Sequence, residues 1–121
     1  MHWQKVRRTE VGIENWSENV ILVNLAPEPQ MSEELRTVTE ILLDRGDSDV
    51  VIDFAGVDII TSSNIAKLLK IRKVLKDCEH RLVLCGLNAQ TKSIFLVTGL
   101  DNLFDFVDNK VIALASLQLV N

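Results

Sequence analysis

Residues 49–78 read DVVIDFAGVDIITSSNIAKLLKIRKVLKDC, and a change of pattern inside this stretch decides the fold. Over 49–57 the apolar residues are dense and largely β-branched, which predicts a strand buried on both faces. From Ser62 to Cys78 the period changes. Ile65, Leu68, Leu69, Ile71 and Leu75 recur at helical spacing and predict a long helix with a wide apolar face.

The same alternation repeats on both sides. Downstream, RLVLCGL at 81–87 reads as another buried strand. NAQTKSIFLVTG at 88–99 reads as a helix capped by Asn88 and ended by Gly99. DFV at 105–107 is a short strand, and NKVIALASLQ at 109–118 a closing helix with Val111, Ile112 and Ala115 inward. Upstream, VILVNL at 20–25 is a strand, and Pro27 and Pro29 break the pattern after it. A helix is expected from Ser32, whose hydroxyl can cap it while Glu33 and Glu34 suit its dipole. Leu35, Val38, Ile41 and Leu42 supply its apolar face, and Gly46 its stop. Residues 4–14, with Val6, Val11 and Ile13, suggest an exposed or edge strand, and 15–19 a turn. Strands alternating with helices predict an α/β fold: a mixed, mostly parallel sheet of four to five strands with right-handed crossovers and about four helices. The first two strands are expected to pair antiparallel.

The chain has 121 residues, enough for one domain with one core. Its net charge of −4 argues against nucleic acid as a partner. No apolar run approaches the ~18–20 residues of a membrane span, and the polar start MHWQKVRRTE is unlike a secretory signal. A cytoplasmic location is the expectation. Cys78 and Cys85 lack CxxC spacing, and His2 and His80 are the only histidines. Two buried, reduced cysteines are expected, with no metal and no cofactor.

In open α/β sheets function gathers beyond the carboxyl ends of the strands, which singles out the loop DIITSSN at 58–64. Ser62 is the expected helix cap, with Ser63 in the first turn. The serines could be caps and nothing more, a nucleophile, or a site that another protein modifies. A nucleophile elbow needs flanking glycines, and here the flanks are Thr61 and Asn64. The base is missing as well. His80 lies 17 residues beyond Ser63, roughly 25 Å along a helix, and Lys67, four residues on, is a poor base unless desolvated. No enzyme is expected. No phosphate-binding glycine loop occurs. Asp53 and Asp58 could meet a cation, but ordering of backbone by Asp53 at the strand end is the simpler reading. Lys67, Lys70, Arg72, Lys73 and Lys76 make the long helix basic, either as a solvated face or as a surface for an acidic partner.

Asp53-Phe54-Ala55-Gly56-Val57, the pair Ser62-Ser63, and Thr98-Gly99-Leu100-Asp101-Asn102-Leu103-Phe104 together resemble the STAS domain of bacterial anti-sigma factor antagonists. The resemblance is strongest over 20–118 and covers the predicted element order, so 1–121 is taken as one STAS-like domain. It implies an antagonist that binds a serine/threonine kinase with a histidine-kinase-like ATPase fold, itself the anti-sigma factor. It further implies that phosphorylation of Ser63, with Ser62 second, breaks that complex. Thr61, Ser62, Ser63, Asn64, Lys67, Lys70 and Glu28 are the implied partner-binding residues. The family pattern has Asp where Thr61 stands and Gly where Asn64 stands, and Glu28 in LAPEP is the nearest acidic stand-in for its upstream signature. The resemblance also admits a weak homodimer, and a non-switching scaffold or subunit of a signalling or lipid-transport complex.

Overall fold

A computed structural model describes residues 12–119. Five strands, β1 (Ile13–Ser17), β2 (Val20–Asn24), β3 (Asp49–Asp53), β4 (Leu82–Cys85) and β5 (Asp105–Val107), lie side by side in chain order. β1 pairs antiparallel with β2, and every later pair is parallel. The connections are helices: α1 (Gln30–Arg45), α2 (Ser62–Asp77) and α3 (Ala89–Val97), with α4 (Lys110–Leu119) closing the chain. A short 3-10 turn, Asp101–Leu103, precedes β5. This is the predicted α/β architecture, including the antiparallel first pair.

The dense strands are explained by a sheet covered on both faces. Ile21, Val23, Val50, Ile52, Leu82 and Leu84 point into a large core built with α1, α2 and α3. Alternate residues Val20, Leu22, Val51, Val83 and Cys85 point to the other face, where Ala113, Leu114 and Leu117 of α4 cover them. Period-2 alternation thus runs along strands whose two sides are both apolar. α1 and α2 bury the predicted stripes: Leu35, Val38 and Leu42 from one, Ile65, Leu68, Ile71 and Leu75 from the other. Gly46 ends α1 in the left-handed region at φ 68°, a conformation that glycine adopts without steric cost.

Several local readings are corrected. The segment 15–19 is not a turn: β1 runs through Ser17, and only Glu18 and Asn19 turn. Most of the edge strand placed at 4–14 lies outside the described residues. The strand over 49–57 stops at Asp53, because Phe54–Val57 folds into a turn closed by Val57 N–H on the Phe54 carbonyl at 2.9 Å. α1 starts at Gln30, not Ser32. In α4, Val111, Ile112 and Ala115 face outward. That helix is apolar nearly all round, so period alone cannot choose its inner face. Cys85 is buried as expected, but Cys78 is exposed at the end of α2, beyond the last buried turn of the helix.

Candidate functional site

The site lies at the carboxyl ends of the parallel strands, where the β2–α1 and β3–α2 loops meet. Leu25 N–H bonds the Asp53 carbonyl (3.0 Å), and Phe54 N–H bonds the Cys85 carbonyl (2.8 Å), so both loops leave from a fixed base. Asp53 orders the strand end, as expected, accepting from Ala55 N–H at 3.1 Å. Gly86, at φ 72°, passes beside it; a Cβ there would lie 2.6 Å from Asp53 Oδ1. Phe54, Val57 and Ile60 are buried and pin the β3–α2 loop, which leaves Asp58 and Ile59 exposed.

Ile60 inward leaves Thr61 extended (φ −94°, ψ 162°), and Thr61, not Ser62, caps α2. Its hydroxyl accepts from Asn64 N–H at 3.3 Å. Ser62 and Ser63 therefore occupy the first turn, and both are exposed. Lys67 Nζ donates to Ser63 Oγ at 3.2 Å, one turn along the same face. Asn64 turns the opposite way and is wholly buried. Its Nδ2 donates to Glu28 Oε2 at 2.6 Å and approaches Met31 Sδ at 3.2 Å. Its Oδ1 lies 3.1 Å from Ser32 Oγ.

Glu28 thus stands in the β2–α1 loop against α2, although it is 36 residues away from Asn64. Ser32 donates its backbone N–H to Glu28 Oε1 at 3.0 Å, and its hydroxyl lies 2.7 Å from Oε2. The Ser32 hydroxyl, the Asn64 amide and the Ser32 N–H hold the Glu28 carboxyl below its ordinary value, with a smaller contribution from the charge of Lys67. Ser32 does not cap α1: from the first turn of that helix its hydroxyl ties Glu28 of the β2–α1 loop to Asn64 of α2. The signal was present as Glu28 four residues ahead of it. Ile59 was missed too, although of two adjacent isoleucines in one loop only Ile60 goes in.

The structure brings Glu28, Thr61, Ser62, Ser63, Asn64 and Lys67 together. Lys70 stands one turn further along α2, beside Lys67 on a groove shared with Arg36, Glu40 and Leu43 of α1. The five cations of α2 do not make one face. Lys67 and Lys70 border that groove, Lys73 pairs with Asp77, and Arg72 and Lys76 line a cleft at the far end. His80 is engaged there, its Nδ1 3.0 Å from Asp49 Oδ1 at the amino end of the central strand β3. No histidine or carboxylate bonds either serine hydroxyl among the described residues; Lys67 is the side chain that meets Ser63. Among the same residues no group of three or more His, Cys, Asp or Glu could hold a metal ion, and no helix is long and apolar enough to cross a membrane.

Comparison with known proteins agrees with this fold. The family model described as "Mlab, STAS domain" matches residues 16–108. A curated relative from Bordetella bronchiseptica, "Putative anti-sigma factor antagonist BtrV", is 28% identical over 97 residues, 80% of each chain. Among solved structures, an anti-sigma-factor antagonist (STAS) domain protein from Planctomyces limnophilus superposes with a TM-score of 0.73 at 20% identity, covering 88% of this chain and 96% of that one. The anti-sigma factor antagonist SpoIIAA in its unphosphorylated form gives 0.70 at 14% identity, with the same coverages of 88% and 96%. SpoIIAA, a Bacillus protein, has also been solved in the phosphorylated form.

Proposed function

The chain belongs to the STAS-domain family, and we propose that within it this protein is an anti-sigma factor antagonist switched off by phosphorylation of Ser63. Its partner is a serine/threonine kinase of the histidine-kinase-like ATPase fold that doubles as the anti-sigma factor. The observation that carries the reading is Ser63 itself: an exposed hydroxyl in the first turn of α2, touched by Lys67 and, among the described residues, by no histidine or carboxylate. It suits a substrate better than a catalyst. The name of BtrV and the phosphorylated form of SpoIIAA support the same direction.

The chemistry follows from charge. A phosphate adds about −1.5 to −2 charge and three acceptor oxygens. At the start of α2 the helix dipole favours it by about 0.3–1 kcal/mol. Lys67, already 3.2 Å from the hydroxyl, can move onto it. The domain stays folded, and the cost falls on the complex, where the partner must desolvate a dianion and loses access to Lys67. A thousandfold loss of affinity needs only about 4 kcal/mol. Glu28, Thr61, Ser62 and Lys70 complete the contact surface, and Ile59, 57% exposed beside the serines, is its apolar member; Asn64, expected on this surface, is wholly buried and supports it from behind through Glu28. Kinase and ATP should place one phosphate on Ser63, mapped by mass spectrometry, and none on Ser63→Ala. Phosphate on Ser62 instead, or on neither, overturns the reading.

A second reading is favoured by Thr61 and Asn64, which stand where the family pattern has Asp and Gly. In it the protein is a non-switching STAS subunit of a signalling or lipid-transport complex. That reading predicts a co-purifying partner other than a kinase, and binding unchanged by Ser63→Asp.

A further inference from the structure

At the end of α2 away from the serines, a cleft of about 300 Å³ opens between the helix, the start of β4 and the 3-10 turn before β5. Three cations converge on it: Arg72 and Lys76 from α2, and Arg81 from the residue before β4. Their directions are partly set. Arg72 Nε donates to the Leu103 carbonyl at 2.6 Å, which anchors the guanidinium at the rim and leaves its terminal nitrogens free to turn inward. Arg81 N–H donates to Asp49 Oδ1 at 2.8 Å, and the same oxygen meets the His80 ring, so the backbone carrying Arg81 is held from below. Among the described residues Lys76 and Arg81 have no ion-pair partner. Among the described residues Asp105 is the only carboxylate lining the wall, with Asp49 behind it. Three cations less two carboxylates, Asp105 on the wall and Asp49 just behind it, leave a local charge of +1, on a chain whose net charge is −4. Leu75, Leu82 and Phe104 form an apolar floor beneath these charges.

A concave site with two guanidinium forks and an ammonium suits a compact oxyanion, because arginine matches tetrahedral oxygens in pairs and lysine adds a point charge. The local charge of +1 matches a phosphate monoanion and draws a dianion as well. We propose that this cleft binds a phosphate or small phosphomonoester, at a site separate from Ser63 and independent of its modification. Lys76 and Arg81 are the principal ligands, and Arg72 closes the rim.

The test uses the full-length, isotope-labelled protein titrated with sodium phosphate and, separately, with glycerol 3-phosphate, at ionic strength matched with sodium chloride. Saturable amide shifts are expected at 80–82 and 102–105 with both phosphates and not with chloride. Arg81→Gln and Lys76→Gln should each weaken binding by about tenfold, the loss of one charged contact of ordinary strength. Ser63→Ala should leave it unchanged. Lys76 is exposed and Arg81 half-buried, and an unaltered melting temperature marks either variant as folded. An absence of saturable shifts overturns the proposal, as do shifts of equal size in chloride or wild-type affinity in both variants.

Discussion

Asn64 is an amide with no solvent contact, and it is tolerable there because Glu28 and Ser32 occupy both ends of its side chain. Buried polar groups are stable only when partnered. The family's glycine at this position would leave Glu28 without its 2.6 Å donor. Asn64→Gly should therefore cost about 1–3 kcal/mol, from an unmatched polar contact and a freer helix start, read as a lower urea midpoint at constant slope. Glu28 carries a pH signature. Its carboxyl is held below 4.5 by Ser32 and Asn64 in the folded chain. Such a group adds stability above its unfolded pKa and loses it as pH falls through the lower folded value. The stability difference between the wild type and Glu28→Gln should be constant above about pH 6 and shrink below about pH 4.5; a difference flat down to pH 3 would contradict the assignment. The family resemblance pointed to Glu28 as an acidic stand-in, but its 36-residue reach to Asn64 is set by tertiary structure that places the β2–α1 loop against the start of α2.

The start of α2 shows how far local pattern carries an element. Its apolar stripe made the helix readable, and its ends fell within a residue of expectation. The cap did not. Thr61, Ser62 and Ser63 can all cap a helix, and the choice among them depends on which residue is extended. That is decided by Ile60, anchored in the core at 4% exposure. Removing the cap by Thr61→Ala should cost about 1 kcal/mol, measured by denaturant unfolding, while Ser62→Ala should fall within about ±0.5 kcal/mol. The reverse ranking would restore Ser62 as the cap. α4 failed for the converse reason: Val111, Ile112, Ala113, Leu114 and Ala115 are all apolar, so tertiary contact and not period selects the inner face.

Across the whole molecule, the order of elements and the parallel sheet were legible because the three inner strands are dense on both faces and α1 and α2 each carry one apolar stripe. Exposure at the margins was less so, as the two cysteines show. Burial, with the Asp53 carboxylate beside it, pushes the Cys85 thiol up to about 12, whereas Cys78 is exposed. A thiol reagent at pH 8 should modify one cysteine in the native protein and both after denaturation, since reaction requires thiolate and access. Two fast thiols in the folded state would contradict the packing of α4 over Cys85. The site remains the least legible part, because a partner surface is defined by what approaches it. The most direct measurement is calorimetric affinity for the kinase, comparing unmodified protein with protein bearing phosphoserine at position 63. The account predicts a fall of about a thousandfold or more with the melting temperature unchanged or raised; equal affinity in the two forms would contradict it.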